Sequence, residues 1–115
     1  MVKYKVLFHL DEESSFRGKL TMNNIKNLRD DLSDEVEIEL VVNSAGIKLF
    51  LKESSPIKDA ALALMQQGVT MAICQNSIKY YDLNKSAFLK GVVFVDSGVG
   101  ELTRKQAEGW SYIRP

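Results

Sequence analysis

Cys74 and His9 are the only thiol and the only imidazole in this chain. Cys74 ends an apolar run, Val69 to Ile73, and Gln75-Asn76-Ser77 after it opens a helical stretch. A thiol between a strand end and a helix start meets unpaired backbone N–H groups and the positive end of the helix, which favour thiolate and make a nucleophile. The bland reading of the same residue is a core cysteine, because free Cys is among the most buried residue types and Met71, Ala72 and Ile73 before it are plainly core. His9, near the end of the first apolar run, could orient or deprotonate Cys74, or it could be a satisfied structural histidine. No third residue stands by to orient the imidazole, and only backbone could stabilise an oxyanion, so a protease dyad is rejected. One Cys and one His supply neither a disulfide within the chain nor a zinc site. No metal and no cofactor are expected.

Two further turns carry polar residues after strands. Asn43-Ser44-Ala45-Gly46 follows the second strand, and Asp96-Ser97-Gly98-Val99-Gly100-Glu101 follows the fourth. The latter resembles a phosphate cradle, yet it lacks G-x-G-x-x-G spacing and the lysine-serine pair of a P-loop. Both read as turns that start helices, with Gly98 and Gly100 permitting a tight bend. With the Gln75-Asn76 turn they fall on one edge of a parallel sheet. His9, Asn43, Ser44, Gln75, Asn76, Ser97 and Gly98 are therefore the candidate lining of a crevice around Cys74.

The elements that must position these residues follow from periodicity. Tyr4 to Leu10 is apolar enough for a strand covered on both faces. Phe16, Leu20, Ile25, Leu28 and Leu32 recur at about one helical turn, predicting a helix over 15–32 behind a polar, capping turn at 11–15. Val36, Ile38 and Leu40 alternate with Glu37 and Glu39 before Val41-Val42, a pattern that suggests an edge strand. Ile47, Phe50 and Leu51 suit a short helix, and Ser55-Pro56 reads as the start of another ending at Gly68, with Ile57, Ala60, Ala61, Leu64 and Met65 buried. Strands at 69–73 and 92–95, a short helix over 75–81, a helix from Ser97 to Gly109 burying Val99, Leu102 and Gln106, and a short strand at 110–113 complete the chain.

Strands alternating with helices specify an α/β fold, a mostly parallel sheet with helices on both faces. A strand order of 2-1-3-4-5 would put the crevice between strands one and three, bringing Cys74 and His9 together. The 115 residues, 45% of them hydrophobic, suit one domain over 1–115. Fifteen basic and fifteen acidic side chains cancel, leaving no broad positive field for nucleic acid. No apolar run reaches the roughly 20 residues of a membrane helix, and Met-Val-Lys-Tyr-Lys does not read as a signal sequence, so a cytoplasmic protein is expected. The acidic cluster Asp30, Asp31, Asp34, Glu35, Glu37 and Glu39 reads as a solvated face. Trp110 and Tyr112 on a short terminal strand suggest burial against another subunit, hence a homo-oligomer.

The segments Lys5 to His9, Glu39 to Ile47, Gly68 to Ile78 and Val95 to Leu102, with Arg104 to Ile113 after them, resemble the DsrE/DsrF-like family of YchN-like fold. That resemblance covers nearly the whole chain and is most specific in its final stretch. It implies a three-layer α/β/α fold with a five-strand parallel sheet and assembly into homotrimers or hexamers. Relatives in sulfur oxidation and tRNA thiolation carry sulfur as a persulfide on a cysteine at the end of the third strand, the place Cys74 occupies. They work with related subunits, so a sulfur-relay protein partner is implied. The expected function is a sulfur carrier or sulfurtransferase-type protein using Cys74. The alternative is a non-catalytic homo-oligomeric binding protein whose cysteine is structural.

Overall fold

The computed structural model describes residues 1–115. Strand β1 (Tyr4–Leu10) leads to helix α1 (Ser15–Leu32), β2 (Val36–Val42), a 3-10 segment (Ser44–Phe50), α2 (Lys58–Gln66) and β3 (Thr70–Cys74). The six-residue α3 (Gln75–Tyr80), β4 (Val93–Val95), α4 (Gly98–Ala107) and β5 (Ser111–Ile113) follow. All strand pairs are parallel, and the order is β4-β3-β2-β1-β5. The α/β class and the five-strand parallel sheet are as expected, but the order departs from 2-1-3-4-5.

Strand length explains the observed order. β1 and β2, with seven residues each, fill the centre, while the three-residue β4 and β5 take the two edges. Short edge strands expose few unpaired backbone groups. The steps β1 to β2, β2 to β3 and β3 to β4 run in one direction, so right-handed crossovers put α1 and α2 on the same face. The return to β5 runs the other way and carries α4 to the opposite face. The two sheet faces accordingly bury separate cores. Phe8, Leu10, Ile38, Leu40, Val42, Met71 and Ile73 pack with Met22 and Ile25 of α1, Phe50, and Ala61 and Leu64 of α2. Leu7, Val41 and Ala72 meet Leu102 and Trp110 on the α4 side.

Local details adjust several expectations. Ser14 caps α1 by accepting a hydrogen bond from the Arg17 N–H at 3.1 Å, but Phe16, in the first turn, is 74% exposed instead of joining the buried stripe. The segment 44–50 is 3-10, and α2 starts at Lys58, with Ser55 Oγ accepting from the Ile57 N–H before the helix proper. Val99 is exposed where Leu102 is buried. Trp110 is buried against its own chain, beneath the Lys105 ammonium 4.7 Å from its ring centroid, so its burial needs no second subunit.

The largest correction concerns β2, which is the central strand. Glu39, expected to guard an edge, keeps only 4% of its surface exposed, between Leu7 and Thr70 in register and under α4. Burial, and then the hydrogen bond and charge of Glu101, push its carboxyl up to about 8, with Lys105 at 3.7 Å opposing them. Glu101 is held low, first by the hydrogen bond it accepts from Glu39. Glu39 Oε2 is buried with no hydrogen-bond partner, which penalises the ionised form and favours a proton on Glu39.

Candidate functional site

The C-terminal ends of the parallel strands all open on one edge, and Cys74 is the last residue of β3 there. Side chains alternate faces along a strand. Counting from the pairs His9↔Val41 and Val42↔Ile73, His9, Asn43 and Cys74 project to the α4 face from β1, the end of β2, and β3. β2 stands between β1 and β3, so the expected direct meeting of His9 and Cys74 becomes an indirect one through Asn43.

Gly98, first residue of α4, explains how closely this corner is built. A Cβ there would lie 2.9 Å from Asn43 Cβ and 3.3 Å from Cys74 Cβ, so only hydrogen fits between α4 and the two side chains. Ser97 caps the helix, its Oγ accepting from the Gly100 N–H at 3.1 Å. Ser44, with φ at 53°, lies in the left-handed region that a non-glycine residue rarely occupies. Its N–H donates to Ser77 Oγ, 2.7 Å away.

The sulfur therefore sits in a cluster of donors. Burial pushes the Cys74 thiol up, but the Ser77 hydroxyl and the backbone N–H groups of Gly98, Ser77 and Asn76 outweigh it and hold the thiol below its ordinary value. These donors come from the starts of α3 and α4 together. With only six residues in α3, individual N–H groups pointed at the sulfur, not a long helix dipole, account for the effect. Cys74 is 4% exposed. At the start of α3 opens a crevice of about 380 Å³ lined by Asn43, Ser44, Asn76, Ser77, Tyr80 and Tyr81, with Cys74 close to Asn76 and Ser77 in sequence but not part of the lining. Lys48 Nζ stands 4.3 Å from the centroid of the Tyr81 ring, bracing one wall, while Tyr80 is 82% exposed at the mouth. A hollow of equal volume between α1 and the approach to α2 is lined by Lys19, Asn23, Ser55 and Asp59 among others, and holds neither the thiol nor the imidazole.

His9 lies behind Asn43. Its Nδ1 is 2.6 Å from Tyr112 Oη and its Nε2 is 2.8 Å from Asn43 Oδ1. Tyr112 is held above its ordinary value by burial and the Asp11 charge, against Arg114. Burial also acts to raise Asp11, but the Arg114 hydrogen bond at 2.7 Å and charge prevail and hold the carboxyl low. Of the residues singled out in the sequence, Asn43, Ser44 and Asn76 line the crevice, Gly98 packs on Cys74 and Asn43, and Ser97 serves as a helix cap. Gln75 turns instead to Asp96 Oδ1, at 3.3 Å. Sequence reasoning missed Ser77, Tyr80, Tyr81 and Tyr112. Ser77 was legible from its place three residues past Cys74, one helical turn on, where a hydroxyl returns to the strand end. No group of three or more His, Cys, Asp or Glu side chains is placed to hold a metal ion, and no helix is long and apolar enough to cross a membrane.

Comparison with solved structures places this geometry among similar proteins. A protein of unknown function from Methanobacterium thermoautotrophicum shares 38% identity, with a TM-score of 0.93 over 98% of this chain and 100% of that one. The ychN protein of E. coli matches with a TM-score of 0.78 and 15% identity over the whole of both chains. A conserved protein of unknown function from Bacteroides thetaiotaomicron has a TM-score of 0.74 and 17% identity, over 96% of this chain and 94% of that one. These last two share the fold. Among curated proteins none matches. The family model for DsrE/DsrF-like proteins runs over residues 5–115, from the first central strand to the last residue, and the chain belongs to the DsrE/DsrF-like family.

Proposed function

We propose that this protein is a cytoplasmic sulfur carrier that holds a persulfide on Cys74. The observation that carries the reading is the donor cluster at the sulfur, which favours thiolate at a strand end beside an open crevice. Family membership supports it, since relatives with a cysteine at this place relay sulfur. The thiolate attacks the terminal sulfur of a donor persulfide, R–S–SH. A new S–S bond forms at Cys74 Sγ as the donor's S–S bond breaks, and RS⁻ leaves with the bonding electron pair. The transferred sulfur keeps its proton or releases it to solvent, and no outside oxidant is needed. A partner thiolate then attacks that outer sulfur and Cys74 leaves as thiolate. The partner is a sulfur-relay protein, and the carrier itself assembles as a homotrimer or hexamer.

The low exposure of Cys74 favours a second reading, a homo-oligomeric binding protein whose crevice takes a small ligand or partner and whose cysteine is structural. Intact-mass spectrometry of the native protein after exposure to a persulfide donor separates the two. The carrier gains the mass of one reducible sulfur atom, and its Cys74→Ser variant, equally folded, gains none. Equal uptake by both, or uptake by neither, contradicts the carrier.

A further inference from the structure

Four polar side chains form a row across the sheet beneath α4: Tyr112 on β5, His9 on β1, Asn43 at the end of β2 and Cys74 on β3. Hydrogen bonds link the first three, at 2.6 Å and 2.8 Å. A carboxamide oxygen can only accept, so His9 Nε2 carries the proton given to Asn43 Oδ1. In the neutral tautomer with that proton on Nε2, His9 Nδ1 accepts and the Tyr112 hydroxyl donates to it. Donation thus runs one way across the sheet, from the β5 edge to the residue beside the cysteine.

This arrangement fixes which way the Asn43 amide faces. His9 holds the oxygen on the β1 side, which turns the NH2 away from β1, and that nitrogen has no protein acceptor. Glu39 Oε2 is the buried side-chain polar atom left without a partner, so the Asn43 NH2 is not sealed in the interior, and Asn43 is one of the residues that line the crevice. The donors at Cys74 Sγ are already supplied by Ser77, Asn76 and Gly98. A persulfide's outer sulfur lies about 2 Å beyond Sγ, and when ionised it carries charge that a further donor would stabilise.

We infer that Asn43 is the side-chain donor for the outer sulfur of a Cys74 persulfide, and that His9 and Tyr112 are positioning residues that hold its amide in the donating orientation. This rests on the sulfur-carrier reading. It also accounts for a buried histidine whose two nitrogens are both engaged and neither of which serves the cysteine directly.

The test loads wild type and variants with glutathione persulfide, removes the donor, adds excess glutathione whose thiolate takes the outer sulfur as Cys74 leaves as thiolate, and follows loss of the added sulfur by intact mass, with thermal melts to confirm folding. A hydrogen bond to a charged group is strong enough that Asn43→Ala should shed the sulfur about tenfold faster than wild type. Asn43→Asp keeps the oxygen that His9 grips but replaces the NH2 with a second oxygen, and should shed it at least as fast. His9→Ala and Tyr112→Phe should fall between, and His9→Gln, whose amide can still donate to Asn43 Oδ1, should recover most of the lifetime. Iodoacetamide should label the unloaded thiol of Asn43→Ala and His9→Ala within about twofold of the wild-type rate, because the Sγ donors are untouched. Equal lifetimes in wild type, Asn43→Ala, Asn43→Asp and His9→Ala overturn the inference while leaving the carrier standing. A wild type that takes up no sulfur overturns both.

Discussion

At Cys74 the competition is between burial, which resists charge, and four donors, which favour it, and the donors prevail. Ser77 is the one side chain among them, so Ser77→Ala should move the midpoint of thiol alkylation to higher pH, with the folded state retained. The linkage has a definite sign. A thiol held lower in the folded chain than in the unfolded one stabilises the fold fully above the unfolded value, and that stabilisation is lost as pH falls through the native value. Urea unfolding of wild type against Cys74→Ser across the alkaline range should show the wild type gaining relative stability as pH rises through that window; a constant gap would contradict the donor cluster. The position of Cys74 at a strand end was legible because strand and helix-start signals sit on either side of it. Its link to His9 was not, because a register spanning three strands and the rotamer of Asn43 leave no trace in local sequence.

The elements set these contacts through close approach. Gly98→Ala would drive a methyl against Asn43 Cβ and Cys74 Cβ, side-chain atoms that can shift only with their own strands. The expected result is a loss of about 1–3 kcal/mol in stability, as for overpacking, together with slower native alkylation as the start of α4 is pushed from the sulfur. Chemical denaturation and labelling kinetics on the same variant check both. β2 supplies a second test. Glu39 is raised to about 8 by burial and Glu101, so its contribution is complete below the ordinary carboxylate range and is lost as pH climbs towards 8. Glu39→Gln cannot ionise, and its urea midpoint should exceed the wild-type value by a margin that widens from pH 5 to pH 8 and then levels. A margin independent of pH would contradict a Glu39 carboxyl raised to about 8. The alternation of Glu37 and Glu39 with apolar residues misled the sequence reading, because an acidic residue under a helix and one at an edge look alike until α4 is placed.

At the scale of the whole molecule, the α/β class followed from strands and helices in turn, and the five strands were found within a residue or two. The strand order did not follow from that alternation, since 2-1-3-4-5 and 4-3-2-1-5 share the same sequence of elements. Strand lengths held the missing information, the two three-residue strands lying at the edges. Trp110 joins α4 to the sheet within one chain, so Trp110→Ala should cost about 3–5 kcal/mol even where light scattering reports no change in assembly. Self-association itself is expected as a trimer or hexamer, and a monomer across micromolar concentrations would remove it from the proposed function. The most direct measurement is the rate of iodoacetamide labelling of Cys74 in the native protein as a function of pH. The donor cluster predicts labelling without denaturant, with a midpoint below that of an ordinary thiol. A cysteine that stays unlabelled until the protein is unfolded, at every pH where the fold persists, would contradict a reactive thiolate at the end of β3.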